Sequence, residues 1–146
     1  MKIILLVIGL ILTTNLMFSQ SIDSTCIISD VHGDQIVLLM DAKIFVEAKQ
    51  NENKTFTFKL VNEVKDSLKT IVITFGEKDF GGHNSTILNI SNPFDANLLY
   101  KAYISRKVNG AFKETDVVPV LSHINSMEMW PYKIQCLKLA EFSLQE

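Results

Sequence analysis

Apolar and polar side chains alternate in steps of two residues along much of this sequence, and this period constrains the fold more than any other feature. The clearest run is residues 97–106, in which one side of an extended chain would carry Leu98, Tyr100, Ala102 and Ile104. A helix would repeat every 3.6 residues, whereas a half-buried strand repeats every two. The run therefore predicts a β-strand with one face in a core.

Other stretches show the same period and predict further strands whose inward side chains form that core. These side chains are Phe56, Phe58 and Leu60, then Ile71, Ile73 and Phe75, then Leu88 and Ile90, and near the end Ile134, Cys136, Ala140, Phe142 and Leu144. Residues 24–31 predict a short first strand. Residues 35–48 predict two strands, or one bent strand, with an interruption at Asp41.

Turn-forming residues separate these stretches. Asn92-Pro93 and Asn109-Gly110 predict tight turns, and longer loops are expected over residues 76–84 and 122–132. Pro119 limits residues 117–121 to an edge strand or an extended crossing segment. With about seven to nine short strands and little helix, the sequence predicts an all-β fold, a single antiparallel β-sandwich. An open barrel is the alternative.

The first 19 residues are organised like a secretory signal peptide. Lys2 precedes an apolar segment, residues 3–12, and a polar stretch then ends in Ser19. The apolar segment is shorter than the roughly 20 residues that cross a bilayer, which makes an uncleaved anchor the weaker interpretation. Cleavage after Ser19 would leave residues 20–146 as one domain without a transmembrane segment, in the periplasm or outside the cell.

The chain has two cysteines, Cys26 and Cys136, which stand near the two ends of the expected domain. Disulfides persist in the compartments that an exported protein reaches. We therefore expect these cysteines to be paired, with two buried free thiols as the alternative. The formal net charge is −2 at pH 7, which gives no basic excess to hold a polyanion and argues against nucleic-acid binding.

The sequence has no arrangement of residues that points to catalysis. It contains no Gly-x-Ser-x-Gly motif, and Ser122 and His123 are adjacent, so on an extended chain their side chains would point apart. Gly81-Gly82 is not followed by the Lys-Ser or Lys-Thr of a phosphate-binding loop. We expect neither an enzyme nor a bound cofactor.

A metal site is the second hypothesis. His123, Met127 and Met129 combine the imidazole and thioether groups that favour copper(I) in exported proteins, and the histidines of the expected loops could bind zinc. The spacing of the three histidines matches no known metal motif, however, and methionines beside Trp130 more often pack in a core or at its rim.

Two expected loops could instead bind a partner. Trp130 and Tyr132 flank a proline, where they would either cap the end of the sandwich or present an aromatic recognition surface. His83 follows two glycines in the other loop. We therefore take His83, Trp130 and Tyr132 as candidate binding residues.

Residues 85–144 carry a set of short motifs: Asn89-Ile-Ser-Asn-Pro, Tyr100-Lys-Ala-Tyr, Glu128-Met-Trp-Pro and the closing Leu139-Ala-Glu-Phe-Ser-Leu. With them this half of the chain resembles small exported immunoglobulin-like proteins of Bacteroidota that have no assigned activity. The resemblance implies an immunoglobulin-like β-sandwich and export, and it transfers no functional residue. The expected function is a non-catalytic binding or structural protein of the cell envelope, whose partner is another protein or an envelope component.

Overall fold

The computed structural model describes Cys26 and residues 28–145, and every regular element in this part of the chain is a β-strand. The strands are β1 (Asp30–His32), β2 (Gln35–Leu39), β3 (Ala42–Gln50), β4 (Phe56–Val61), β5 (Thr70–Asp79), β6 (Asn84–Ser91), β7 (Asn97–Ser105), β8 (Lys113–Thr115), β9 (Asn125–Trp130) and β10 (Cys136–Gln145). None of the described residues belongs to a helix that is long and apolar enough to cross a membrane. The predicted all-β fold is confirmed.

The strands form two five-stranded antiparallel sheets, one in the order β1-β2-β10-β7-β8 and the other in the order β4-β3-β5-β6-β9. The early strand β2 and the last strand β10 are hydrogen-bonded neighbours, so the two ends of the domain meet inside the first sheet. The predicted sandwich is therefore present, with slightly more strands than expected. Its immunoglobulin-like character stays a prediction.

The core between the sheets consists largely of the side chains that the alternation placed inward. The buried members on the central strands are Ile44, Val46 and Ala48 of β3, Ile71, Ile73 and Phe75 of β5, Leu88 and Ile90 of β6, and Leu98, Tyr100, Ala102 and Ile104 of β7. Leu60 is the exception, because it is 42% exposed. Its strand, β4, lies at a sheet edge and has a neighbouring strand on one side only.

The last strand departs from the predicted pattern. A β-bulge lies between Ala140 and Ser143, and Glu141 within it has φ 54. The extra residue shifts the two-residue period, so the side chains facing the core are Leu137 and Leu139 before the bulge and Phe142 and Leu144 after it. The prediction that Cys136 shares a face with Phe142 was wrong for this reason.

Cys26 and Cys136 form the predicted disulfide, with their Cα atoms 6.0 Å apart. The bond lies outside the main core, in a small apolar cluster with Val37, Leu39 and Phe112 on the first sheet. It ties the segment before β1 to β10. The first strand itself is shorter than predicted and begins only at Asp30.

Two predicted loops are shorter than expected. β5 and β6 extend into the expected loop of residues 76–84 and leave residues 80–83 as the turn, in which Gly81 and Gly82 have positive φ. The predicted irregular segment 122–132 is mostly β9. The first segment was predicted as a loop because it is rich in polar residues. The second was predicted as irregular because its apolar and polar side chains do not alternate clearly.

Tyr100 supplies a prediction about stability. Its hydroxyl is buried without a hydrogen-bond partner among the described residues. Tyr100→Phe keeps the ring and removes an uncompensated polar group, so it should raise the free energy of unfolding by about 1 kcal/mol at pH 7 in urea denaturation. Tyr103→Phe is the matched control. It removes a hydroxyl that donates to Glu141 Oε1 over 3.0 Å, and it should give no gain.

The Tyr100 hydroxyl also predicts how the stability of the protein changes at alkaline pH. Burial, and then the nearby Glu128 carboxylate, raise the pKa of Tyr100 above its ordinary value of 10.0. The unfolded chain therefore loses this proton first, and stability present below pH 10 falls as the pH rises further. The fall should be smaller in Tyr100→Phe than in the wild type. If Tyr100→Phe were less stable than the wild type, the claim that the unpaired Tyr100 hydroxyl destabilises the fold would be contradicted.

Candidate functional site

Each sheet has two edges, and the four edge strands of the described residues differ in how they are protected. β1 and β8 have three residues each. β4 has Lys59 in its middle, and the Phe58 N–H donates to the Gly33 carbonyl over 3.1 Å. β9 has six residues and no lysine, arginine or proline. Short length, lysine and proline are among the usual means of blunting a strand edge, and within the described part of the chain β9 is the edge strand that has none of them.

The register of β9 against β6 decides which of its side chains meet solvent. Glu128 pairs with Leu88, and Met127 and Met129 pair with Asn89 and Ile87. The two methionines therefore lie on the outer face of the sheet, where they are 61% and 54% exposed. No described strand pairs with β9 on the side away from β6.

The segment that carries the chain from β8 to β9 also has exposed apolar side chains. Val118, Leu121 and Ile124 are each more than half exposed. We call these three side chains, together with Met127 and Met129, the β9 edge surface. Their exposure makes these five side chains candidates for an interaction site.

Asn92 holds this segment in place. Its side-chain nitrogen donates to the carbonyls of Ala96, Val120 and Leu121 at 2.8, 2.9 and 3.2 Å, and its Oδ1 accepts from the Phe94 N–H at 2.9 Å. The side chain is 3% exposed. The predicted turn at Asn92-Pro93 is thus also the anchor of residues 120–121 on the neighbouring sheet.

Two side-chain hydrogen bonds close the gap between the sheets behind β9. Glu128 Oε1 accepts from the Val118 N–H at 2.7 Å, and Trp130 Nε1 donates to Thr115 Oγ1 at 3.1 Å. The first bond joins β9 to the connection between β8 and β9, and the second joins it to β8 at the edge of the first sheet. They fix the position of β9 and leave its outer side open.

The structure separates the candidate loop residues that the sequence suggested. Trp130 ends β9 and is 6% exposed, so it belongs to the core. Tyr132 is half-buried beneath Arg106, whose guanidinium carbon lies 5.0 Å from the ring centroid. His83 is exposed in the turn between β5 and β6.

The residues of the metal hypothesis are partly engaged elsewhere. His123 Nε2 lies 2.8 Å from Asp95 Oδ1, and His123 has φ 56 in the turn before β9. Met127 and Met129 share a face of the strand, on which alternate residues lie about 7 Å apart. Among the described residues no three His, Cys, Asp or Glu side chains come together as a metal site. Copper or zinc binding stays a prediction.

Comparison with known proteins adds no relative: no family model, no curated protein and no solved structure matches this chain. The function must therefore be inferred from its own residues.

The sequence singled out Met127 and Met129 as ligands and missed Val118, Leu121 and Ile124. Pro119 was the available signal, because it prevents residues 117–121 from joining a sheet as a regular strand.

Proposed function

We propose that the chain is an exported, non-catalytic binding protein of the cell envelope, periplasmic or secreted, and that it holds an extended segment of a macromolecular partner along β9. One observation carries the proposal: β9 is a six-residue edge strand without lysine or proline, it exposes Met127 and Met129, and three more exposed apolar side chains stand in the segment before it. Addition of a partner's strand to an exposed sheet edge is an established mode of peptide recognition.

The edge suits this mode of binding in two ways. Unpaired backbone groups of an edge strand can hydrogen-bond to an added strand, which provides affinity for any extended chain. Met127 and Met129 stand on one face of β9 and would contact alternate side chains of the added strand. Methionine is flexible and polarisable, so this surface would accept apolar partners of different shape.

Export is supported by two features. Residues 1–19, which lie outside the described residues, have the sequence of a signal peptide. The disulfide between Cys26 and Cys136 is of a kind that persists in oxidising compartments. An envelope protein with these features would meet its partner after translocation.

The proposal predicts that charge on the edge abolishes binding. The tagged wild-type protein should retain a partner from the envelope fraction of its own host. The variant with Met127→Lys and Met129→Lys should not retain it, because binding would have to desolvate two ammonium groups. Val64→Lys with Val108→Lys is the matched control, since it adds the same charge at exposed apolar loop residues, 43% and 50% exposed.

Quantitative mass spectrometry of the retained proteins measures the outcome. A partner enriched with the wild type and the control, and lost with the β9 variant, is the expected result. Equal recovery with the β9 variant would contradict binding along β9. Circular dichroism and thermal unfolding of each variant check that the sandwich remains folded.

A further inference from the structure

A second site lies at the other edge of the same sheet. A cavity of about 680 Å³ opens between the ends of β3 and β4, the connection between β4 and β5, and the turn before β7. Small-molecule sites commonly have volumes of about 300–1,000 Å³ and mainly apolar walls with a few polar groups. The volume of this cavity falls in that range.

The walls of the cavity are aromatic and aliphatic. Phe58 and Phe94 line it together with Ala48 and Leu68. Phe58 and Phe94 both belong to the aromatic cluster around Phe56, with ring centroids 5.8 and 5.4 Å from that ring. Leu68 is 69% exposed, the largest exposed fraction of any large apolar side chain in the described part of the chain. An acyl chain laid in this cavity would cover Leu68.

Three of the six polar residues that line the cavity are cationic. These are Lys49, Lys59 and Lys69; the others are Gln50, Thr57 and one carboxylate, Glu47, which lies opposite Lys59 in the pairing of β3 with β4. The Lys69 ammonium lies 3.4 Å from Asp66 Oδ2. For Lys49 and Lys59 no carboxylate of a described residue lies within ion-pair distance. The chain as a whole carries a formal charge of −2, so this positive surplus is local to the cavity.

We propose that this cavity binds a small amphipathic anion, an acyl chain that ends in a carboxylate or a phosphate. The chain would lie against Phe58, Phe94 and Leu68, and the anionic head would lie between Lys49 and Lys59. The charge complementarity selects an anion, and the apolar walls select a ligand with a hydrocarbon body. A free fatty acid and a lysophospholipid would both supply this chemistry. The site is independent of β9 and of the function proposed for it.

Titration calorimetry of the folded protein tests the inference with defined probes. Dodecanoate, dodecyl phosphate and the uncharged dodecyl maltoside are used below their micelle-forming concentrations. At least one of the two anions should bind with a stoichiometry of one and at least about tenfold more tightly than the maltoside, and binding should weaken at high salt. Which of the two anions binds more tightly distinguishes a fatty-acid head from a phosphate head.

Variants locate the site. Lys49→Gln with Lys59→Gln should weaken binding of the anion by about tenfold or more. Lys107→Gln with Lys113→Gln removes the same charge from exposed positions, one just after β7 and one on β8, and should leave binding unchanged. The Met127→Lys with Met129→Lys variant should also bind normally, so failure here is distinguishable from failure at β9. Equal binding of the maltoside, no binding of either anion, or equal weakening by both lysine pairs would overturn the inference.

Discussion

Replacing Cys26 and Cys136 together by alanine is expected to lower the free energy of unfolding by about 4–5 kcal/mol. The two residues are separated by 110 positions, so the bond restricts nearly the whole unfolded domain. Both side chains are at most 1% exposed, and alanine avoids burying a new polar group in their place. Urea denaturation of the oxidised protein measures the loss.

Reduction provides the control for this prediction. Wild-type protein in excess reductant should lose about as much stability as the double variant, because both lack the same covalent link, and reductant should not affect the variant. The protein should still fold in either case, since the main core of the sandwich lies on the other face of β10. An unchanged unfolding midpoint in the double variant would show that the bond does not stabilise the domain.

Asn92→Asp is expected to destabilise the domain by about 3 kcal/mol or more at neutral pH. The amide nitrogen of Asn92 donates to three backbone carbonyls, and a carboxylate would place oxygen against all of them in a site that is 3% exposed. The bond from the Phe94 N–H could survive, but the carbonyls of residues 96, 120 and 121 would lose their donor. The segment leading to β9 would lose its anchor.

The pH dependence of the stability of Asn92→Asp tests whether the buried carboxylate causes the loss. Burial raises the pKa of this carboxyl in the folded state above the ordinary aspartate value of about 4, so the deficit should be complete above the raised pKa, shrink as the pH falls towards 4, and change no further below it. Asn97→Asp is the matched control. Asn97 Oδ1 accepts from the Ser122 N–H over 3.1 Å, and a carboxylate can also accept that bond. A loss in Asn97→Asp as large as that in Asn92→Asp would contradict the role given to Asn92.

The sequence predicts the inner strands well because the alternation of apolar and polar side chains is visible within each strand alone. Leu98 to Ile104 and Ile71 to Phe75 face the core as the alternation requires. The bulge at Glu141 is different, since nothing in Ala140-Glu-Phe-Ser announces a positive φ there. One extra residue reversed the face of Cys136 relative to Phe142. The disulfide was still predictable, because cysteine pairing depended on number and compartment and not on the face.

The candidate site could be predicted only in part. Met127 and Met129 drew attention by residue type, but their exposure follows from the position of β9 at the end of the order β4-β3-β5-β6-β9. That order depends on pairings between distant residues, such as Met129 with Ile87. The cavity likewise depends on residues that are distant in the sequence, since Phe58 and Phe94 both line it. Alternation within single strands carries no information on either arrangement.

Site-specific photocrosslinking in the producing cells tests the central claim, that β9 is the partner-binding edge, most directly. A photoreactive side chain would replace Met127 or Met129 on β9, and Lys113 on the short edge strand β8 would serve as the control position. We expect a discrete adduct with one envelope macromolecule from both β9 positions and none from β8. Absence of adducts from β9, or the same adducts from all three positions, would contradict the claim.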